Sequence, residues 1–187
     1  MKNLLLLFFL FLCFTACDSS APDAEKETVP AAVQVNNPVS SADSITLADI
    51  PVYGDFADLE YIFRQQSDTT YIINFWATWC KPCVAELPYF EDLHDNFVGE
   101  KMRVILVSID FPKQLESKLV PFINEHRLRS EVIVLTDGRY NDWIDKVSPE
   151  WGGNIPVTYI YNAERKEFIA EAFEDTEDLR ERVRKFF

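Results

Sequence analysis

The run Tyr71-Ile72-Ile73-Asn74-Phe75-Trp76 does most to limit what this chain can become. Strong β-formers with a single polar interruption are the pattern of a strand buried on both faces, which requires further layers on both sides of a sheet. Just downstream stands Cys80-Lys81-Pro82-Cys83, after which Val84, Leu87, Phe90 and Leu93 recur at helical spacing. A central strand therefore runs into a pair of cysteines that open a helix.

Around that unit the periodicity predicts alternating elements. Leu59, Ile62 and Phe63 mark a helix within 58–66, and Arg103 to Ile109 a strand. Gln114 to Leu128 reads as helical with Pro121 starting its own turn, and Val132 to Leu135 as a strand. A short helix near 141–147 precedes Gly152-Gly153-Asn154-Ile155-Pro156, followed by strands at 157–161 and 167–172. Thr176 is expected to cap a last helix with Glu177 and Asp178 in its first turn and Leu179, Val183 and Phe186 as its apolar stripe. The class is α/β with a central mixed β-sheet flanked by helices.

Composition supports one such domain with appendages. A chain of 187 residues that is 48% hydrophobic can bury a core, and 26% charged residues exclude a multi-span membrane protein. A net charge of −13 repels phosphate backbones, and no Lys/Arg cluster offsets it, so no nucleic acid is expected as a partner.

The first residues read as an address. Lys2 and Asn3, the apolar run Leu4 to Phe14, then Thr15-Ala16-Cys17 give a charged start, a core too short to span a bilayer, and small residues at a cut. They resemble a bacterial lipoprotein signal at 1–16, with Cys17 carrying lipid. Residues 18–44 contain no aromatic and no glycine and are rich in Ser, Ala, Pro, Asp and Glu, the composition of a tether. The domain is expected over 45–187.

If Cys13 leaves with the signal and Cys17 is lipidated, Cys80 and Cys83 are the remaining thiols. Thiol–disulfide exchange needs an accessible thiolate to attack and a second thiol to resolve the mixed disulfide. At a helix start the first sulfur meets free N–H groups and the positive end of the dipole, which favour its thiolate. Cys80 is thus the expected attacking thiol and Cys83 the resolving one. A structural zinc half-site and an inert disulfide are the alternatives. Zinc would need two more ligands, and His94 and His126 lie in separate helical stretches, so no metal is expected.

Residues 75–83, Phe-Trp-Ala-Thr-Trp-Cys-Lys-Pro-Cys, with Glu86-Leu87-Pro88 behind them and Ile155-Pro156 before a strand, resemble the thioredoxin superfamily. Within it, they are most similar to the TlpA/ResA-type membrane-tethered thiol-disulfide oxidoreductases. The resemblance implies a thioredoxin-like fold, with an extra helix–strand insertion at about 112–135. It implies a cis peptide at Ile155-Pro156, packed against the cysteines, and places Trp79, Lys81, Pro82, Ile155 and Pro156 against substrate. Glu86 matches an acid near the cysteines that could take the resolving thiol's proton. The buried Asp of many thioredoxins is Asn74 here, which cannot titrate.

By the same resemblance the chain is a monomeric protein-disulfide reductase without a cofactor, anchored by lipid in the bacterial cell envelope and facing the periplasm. Its partners would be disulfide-containing envelope proteins, apocytochrome c among them, and a membrane electron donor of the DsbD/CcdA type. Other expectations are a disulfide isomerase or oxidase, or a non-catalytic binding module. The proline-preceded Thr-x-x-Cys element of peroxiredoxins does not occur around Cys80.

Overall fold

The computed structural model describes residues 44–96 and 101–187; the signal segment 1–16, Cys17 and the tether up to residue 43 lie outside the described residues. The central strand β2 is Thr70–Trp76, and every one of its side chains is buried. It pairs parallel with β3 (Met102–Ser108) and antiparallel with β5 (Val157–Tyr161). Beyond β3 lie β4 (Glu131–Leu135) and the two-residue β1 (Val52–Tyr53), and beyond β5 lies β6 (Lys166–Ile169), giving the order β1-β4-β3-β2-β5-β6. The helix–strand unit expected at 112–135 thus places β4 inside the sheet, between β3 and β1.

Successive residues of a strand point to opposite faces, and β2 shows what each face carries. Asn74 and Trp76 point to one side: Asn74 meets Glu86 on α2 (Lys81–Asn96), and the Trp76 ring lies 5.5 Å from Phe122 on α3 (Val120–His126). Phe75 points to the other, stacked on Phe63 and on Trp143 of α4 (Tyr140–Val147), with Trp151 4.6 Å away. Phe56, in the short α1 (Phe56–Leu59), closes this aromatic cluster at 5.2 Å from Trp143. Helix α5 (Thr176–Arg184) buries Leu179 and Val183, and its Arg180 pairs with Asp92 of α2 at 2.6 Å.

Four local expectations change. The first helix starts earlier and is split: the Asp55 side chain accepts from Ala57 N–H, α1 runs four residues, and a 3-10 turn continues over Glu60–Phe63. The stretch from Gln114 is three pieces, a 3-10 turn (Pro112–Gln114), a π-helical turn (Leu115–Leu119) and α3. Pro121 accounts for the break, since it has no N–H for the preceding turn and its ring crowds a regular helix there. The last strand stops at Ile169 rather than 172, because its partner β5 begins at Val157, behind Pro156, which has no N–H to offer a longer ladder; beyond the strand, Phe173 N–H donates to Glu86.

The last helix is capped by Asp175 rather than Thr176: the Asp175 carboxylate accepts from Glu177 N–H at 2.9 Å and Asp178 N–H at 3.0 Å. Replacing Asp175 with Ala should lower stability by about 1 kcal/mol, read by denaturant unfolding. Thr176→Ala should cost much less.

Candidate active site

The residues between β2 and α2 form a turn. Cys80 N–H donates to Ala77 O at 3.0 Å, which leaves Thr78 and Trp79 as its central pair and sets Cys80 immediately before α2. The two sulfurs are joined in a disulfide, with Cα atoms 5.3 Å apart. Cys83 N–H points at the Cys80 sulfur from 3.3 Å, so the helix start faces that atom. Cys80 keeps 6% of its surface exposed and Cys83 none. An incoming sulfur can therefore reach Cys80 alone. Lys81 and Pro82 are exposed on the first turn.

Across from the disulfide lies the 152–156 loop, in which the Ile155-Pro156 peptide is cis. Gly153, at φ +87°, supplies a backbone conformation that other residues rarely take. Trp151 Nε1–H donates to Asn154 O at 2.7 Å, holding the loop so that Ile155 O stands 3.8 Å from the Cys80 sulfur. Pro156 is buried and Ile155 is half-buried. The Trp79 ring is half exposed and stacks on an equally exposed Phe111, at 5.9 Å between centroids. It forms the rim of the site rather than part of the core.

Glu86 sits one turn inside from Cys83 on the same face of α2, a spacing that brings side chains to about 5–6 Å between Cβ atoms. It is almost wholly buried, and among the described residues no cation pairs with it. Asn74 Nδ2 donates to its Oε1 at 2.8 Å and Phe173 N–H to its Oε2 at 3.0 Å. Burial pushes the Glu86 carboxyl up to about 7, against these two donors, which lower it. Asn74 thus stands in the network after all, holding the acid rather than titrating, and it also donates to Thr158 Oγ1 at 3.0 Å.

The structure brings Trp79, Cys80, Lys81, Pro82, Cys83, Glu86, Ile155 and Pro156 to one end of the sheet. Three contributors had no place in the sequence reading: Asp110, Phe111 and the Phe173 N–H. An acid just past the end of a parallel strand is the signal that could have flagged Asp110, since open α/β sheets build sites at the carboxyl ends of their strands. A backbone N–H leaves no such mark.

Order of elements, cis proline and C-x-x-C at a helix start define a thioredoxin-fold protein with a dithiol/disulfide centre. The chain belongs to the AhpC/TSA family, whose model matches residues 53–166. Among curated proteins it is similar to the thiol-disulfide oxidoreductase ResA of Oceanobacillus iheyensis, 33% identical over 103 residues, covering 54% of this chain and 49% of that one. ResA of Bacillus subtilis is 31% identical over 96 residues, covering 50% and 48%. The chain spans about half the length of these relatives. Among solved structures, a thioredoxin-related protein from Neisseria meningitidis superposes with a TM-score of 0.55 at 16% identity, covering 66% of this chain and 88% of that one. A thioredoxin-family thiol:disulfide interchange protein from Chlorobium tepidum gives 0.52 at 18%, covering 70% and 83%. These two likenesses concern the fold.

Proposed function

We propose that the chain is a thiol-disulfide oxidoreductase that reduces protein disulfides outside the cytoplasm. The carrying observation is the asymmetry of the pair: one sulfur reachable at a helix start and the other covered one turn in. In the reduced state Cys80 attacks a substrate disulfide. A Cys80–substrate bond forms, the substrate S–S bond breaks, and the first substrate sulfur leaves as a thiolate that takes a proton from water. Cys83 then gives its proton to Glu86 and attacks the Cys80 sulfur. The Cys80–substrate bond breaks, the second substrate sulfur leaves and is protonated, and two electrons have passed from the protein to its substrate. An acid poised near neutral pH suits the proton step, because it is partly ionised where it must accept and is not too weak a base.

Extended substrate would lie between the Trp79 rim and the Ile155-Pro156 edge, with Lys81 and Pro82 beside the attacked sulfur. Disulfide-containing envelope proteins, apocytochrome c among them, are the proposed substrates, and a membrane thiol donor of the DsbD/CcdA type the proposed source of electrons. No described helix is long and apolar enough to cross a membrane. Attachment is assigned to lipid on Cys17, so Cys17→Ala should shift the protein from the membrane to the soluble fraction with its reductase rate intact. Insulin reduction tests the function: the chain should speed precipitation well above dithiothreitol alone, and a rate equal to dithiothreitol alone would leave only a binding role.

A further inference from the structure

Asp110 is a buried carboxylate beside the turn that presents Cys80. It stands two residues past β3 and is about 1% exposed. Its oxygens accept from Thr78 N–H at 3.1 and 3.2 Å, from Thr78 Oγ1–H at 2.6 Å and from Ser108 Oγ–H at 2.9 Å, while Ser108 Oγ accepts from Asp110 N–H at 3.1 Å. All of these donors are neutral. The next residue, Phe111, stacks on Trp79. The dipeptide 110–111 therefore grips both central residues of the turn, Thr78 by its polar groups and Trp79 by its ring.

We propose that Asp110 is a positioning residue of the redox site: through Thr78 it fixes the turn that places Cys80 before α2, and its charge disfavours the Cys80 thiolate. This rests on Cys80 and Cys83 being a reversible redox pair. Thr78 and Cys80 are two residues apart, at most about 7 Å between Cα atoms, so a carboxylate bonded to the Thr78 N–H and hydroxyl lies against the same turn that carries the sulfur. Of the other charged groups on the elements meeting here, α2 brings Lys81 and Glu86 in its first two turns, Lys113 follows Phe111, and Lys118 and Glu125 line a surface cavity together with Thr78 and Trp79, while residues 152–158 bring none. Lys81 is exposed and hydrated, so its attraction is screened, whereas Asp110 is out of water. Penalising the thiolate favours the disulfide over the dithiol, which makes the protein a better reductant.

The test is the dithiol/disulfide equilibrium of the full chain in glutathione or dithiothreitol buffers, read by alkylation gel shift, with melting curves alongside. Asp110→Asn removes the charge and keeps the shape, since the Thr78 and Ser108 hydroxyls can turn to accept from the new amide. It should shift the equilibrium toward the dithiol by about three- to tenfold, roughly 15–30 mV, and speed Cys80 alkylation at neutral pH. Thr78→Val removes a donor from the carboxylate and leaves the charge less neutralised, so it should move the equilibrium toward the disulfide. A merely structural latch would loosen the turn in both variants and move them the same way. An Asp110→Asn equilibrium within twofold of the parent, or a shift of both variants toward the dithiol, overturns the proposal. Should Asp110→Asn fail to fold, Thr78→Val decides: a shift toward the disulfide supports the proposal and any other result overturns it. A parent protein that does not equilibrate at all refutes the redox function itself, and this inference with it.

Discussion

Replacing Cys83 with Ser is expected to stop turnover and leave the protein joined to its substrates through Cys80, whereas Cys80→Ser should stop turnover and join to nothing. The expectation follows from exposure and from the helix start. In the oxidised protein only Cys80 shows surface, and the Cys83 N–H faces its sulfur, so charge that develops on Cys80 is stabilised while charge on Cys83 is not. Insulin reduction by either variant should fall to the rate of dithiothreitol alone. Non-reducing gels of Cys83→Ser should show mixed disulfides that vanish on reduction, and iodoacetamide should modify Cys80 first in the reduced parent at neutral pH. Preferential alkylation of Cys83, or mixed disulfides formed by Cys80→Ser, would reverse the assignment.

Glu86→Gln should slow resolution of the mixed disulfide by roughly 10²-fold at neutral pH, the lower end of what a positioned acid–base group contributes. It should also change stability in a way that identifies the group. Burial raises the Glu86 carboxyl in the folded protein to about 7, above its value of about 4.3 in an unfolded chain. The folded state therefore holds this proton more tightly than the unfolded state. The stability so conferred is fully present below about pH 4 and is lost as pH rises through about 7, on the order of 3 kcal/mol in all. A neutral Gln has no such loss. Its carbonyl can accept from Phe173 N–H, and if the Asn74 amide turns over, its Oδ1 can accept from both the new Gln amide and the Thr158 hydroxyl. Melting curves of variant and parent should lie closest at pH 4, and the variant should be the more stable at pH 8. Parallel curves at both pH values, with an unaltered pH–rate profile, would make Glu86 an ordinary helix carboxylate.

The parts of the fold legible in the sequence were those in which one strong local signal sufficed. The apolar run 71–76, the spacing of Leu87, Phe90 and Leu93, and Pro121 inside a helical pattern each set an element without outside help. Tertiary contacts decided the rest. The end of β6 depends on where its partner β5 begins, at Val157 behind Pro156, and Asp175 outcompetes Thr176 as a cap by taking two N–H groups. The site divides in the same way. Cys80 and Cys83 announce themselves by spacing at a helix start. Glu86 became interesting through resemblance, but its poise comes from burial between β2, α2 and the chain at Phe173, which no local pattern encodes. Asp110 carries no local signal of its hold on the turn, because the Thr78 groups that bind it lie 32 residues away in sequence.

The reduction potential of the Cys80–Cys83 pair tests the reductase reading most directly. Oxidases of this fold owe their high potential to a strongly stabilised thiolate, at about −120 mV for DsbA against about −270 mV for thioredoxin. Here the helix start favours the thiolate, but Lys81 is exposed and hydrated, and the buried acids Glu86 and Asp110 lie on the elements around the cysteines. Equilibration in dithiothreitol or glutathione buffers, followed by the fluorescence of Trp76 and Trp79, should give roughly −220 to −270 mV. A value above about −170 mV would contradict a reductase and assign the site to forming or rearranging disulfides.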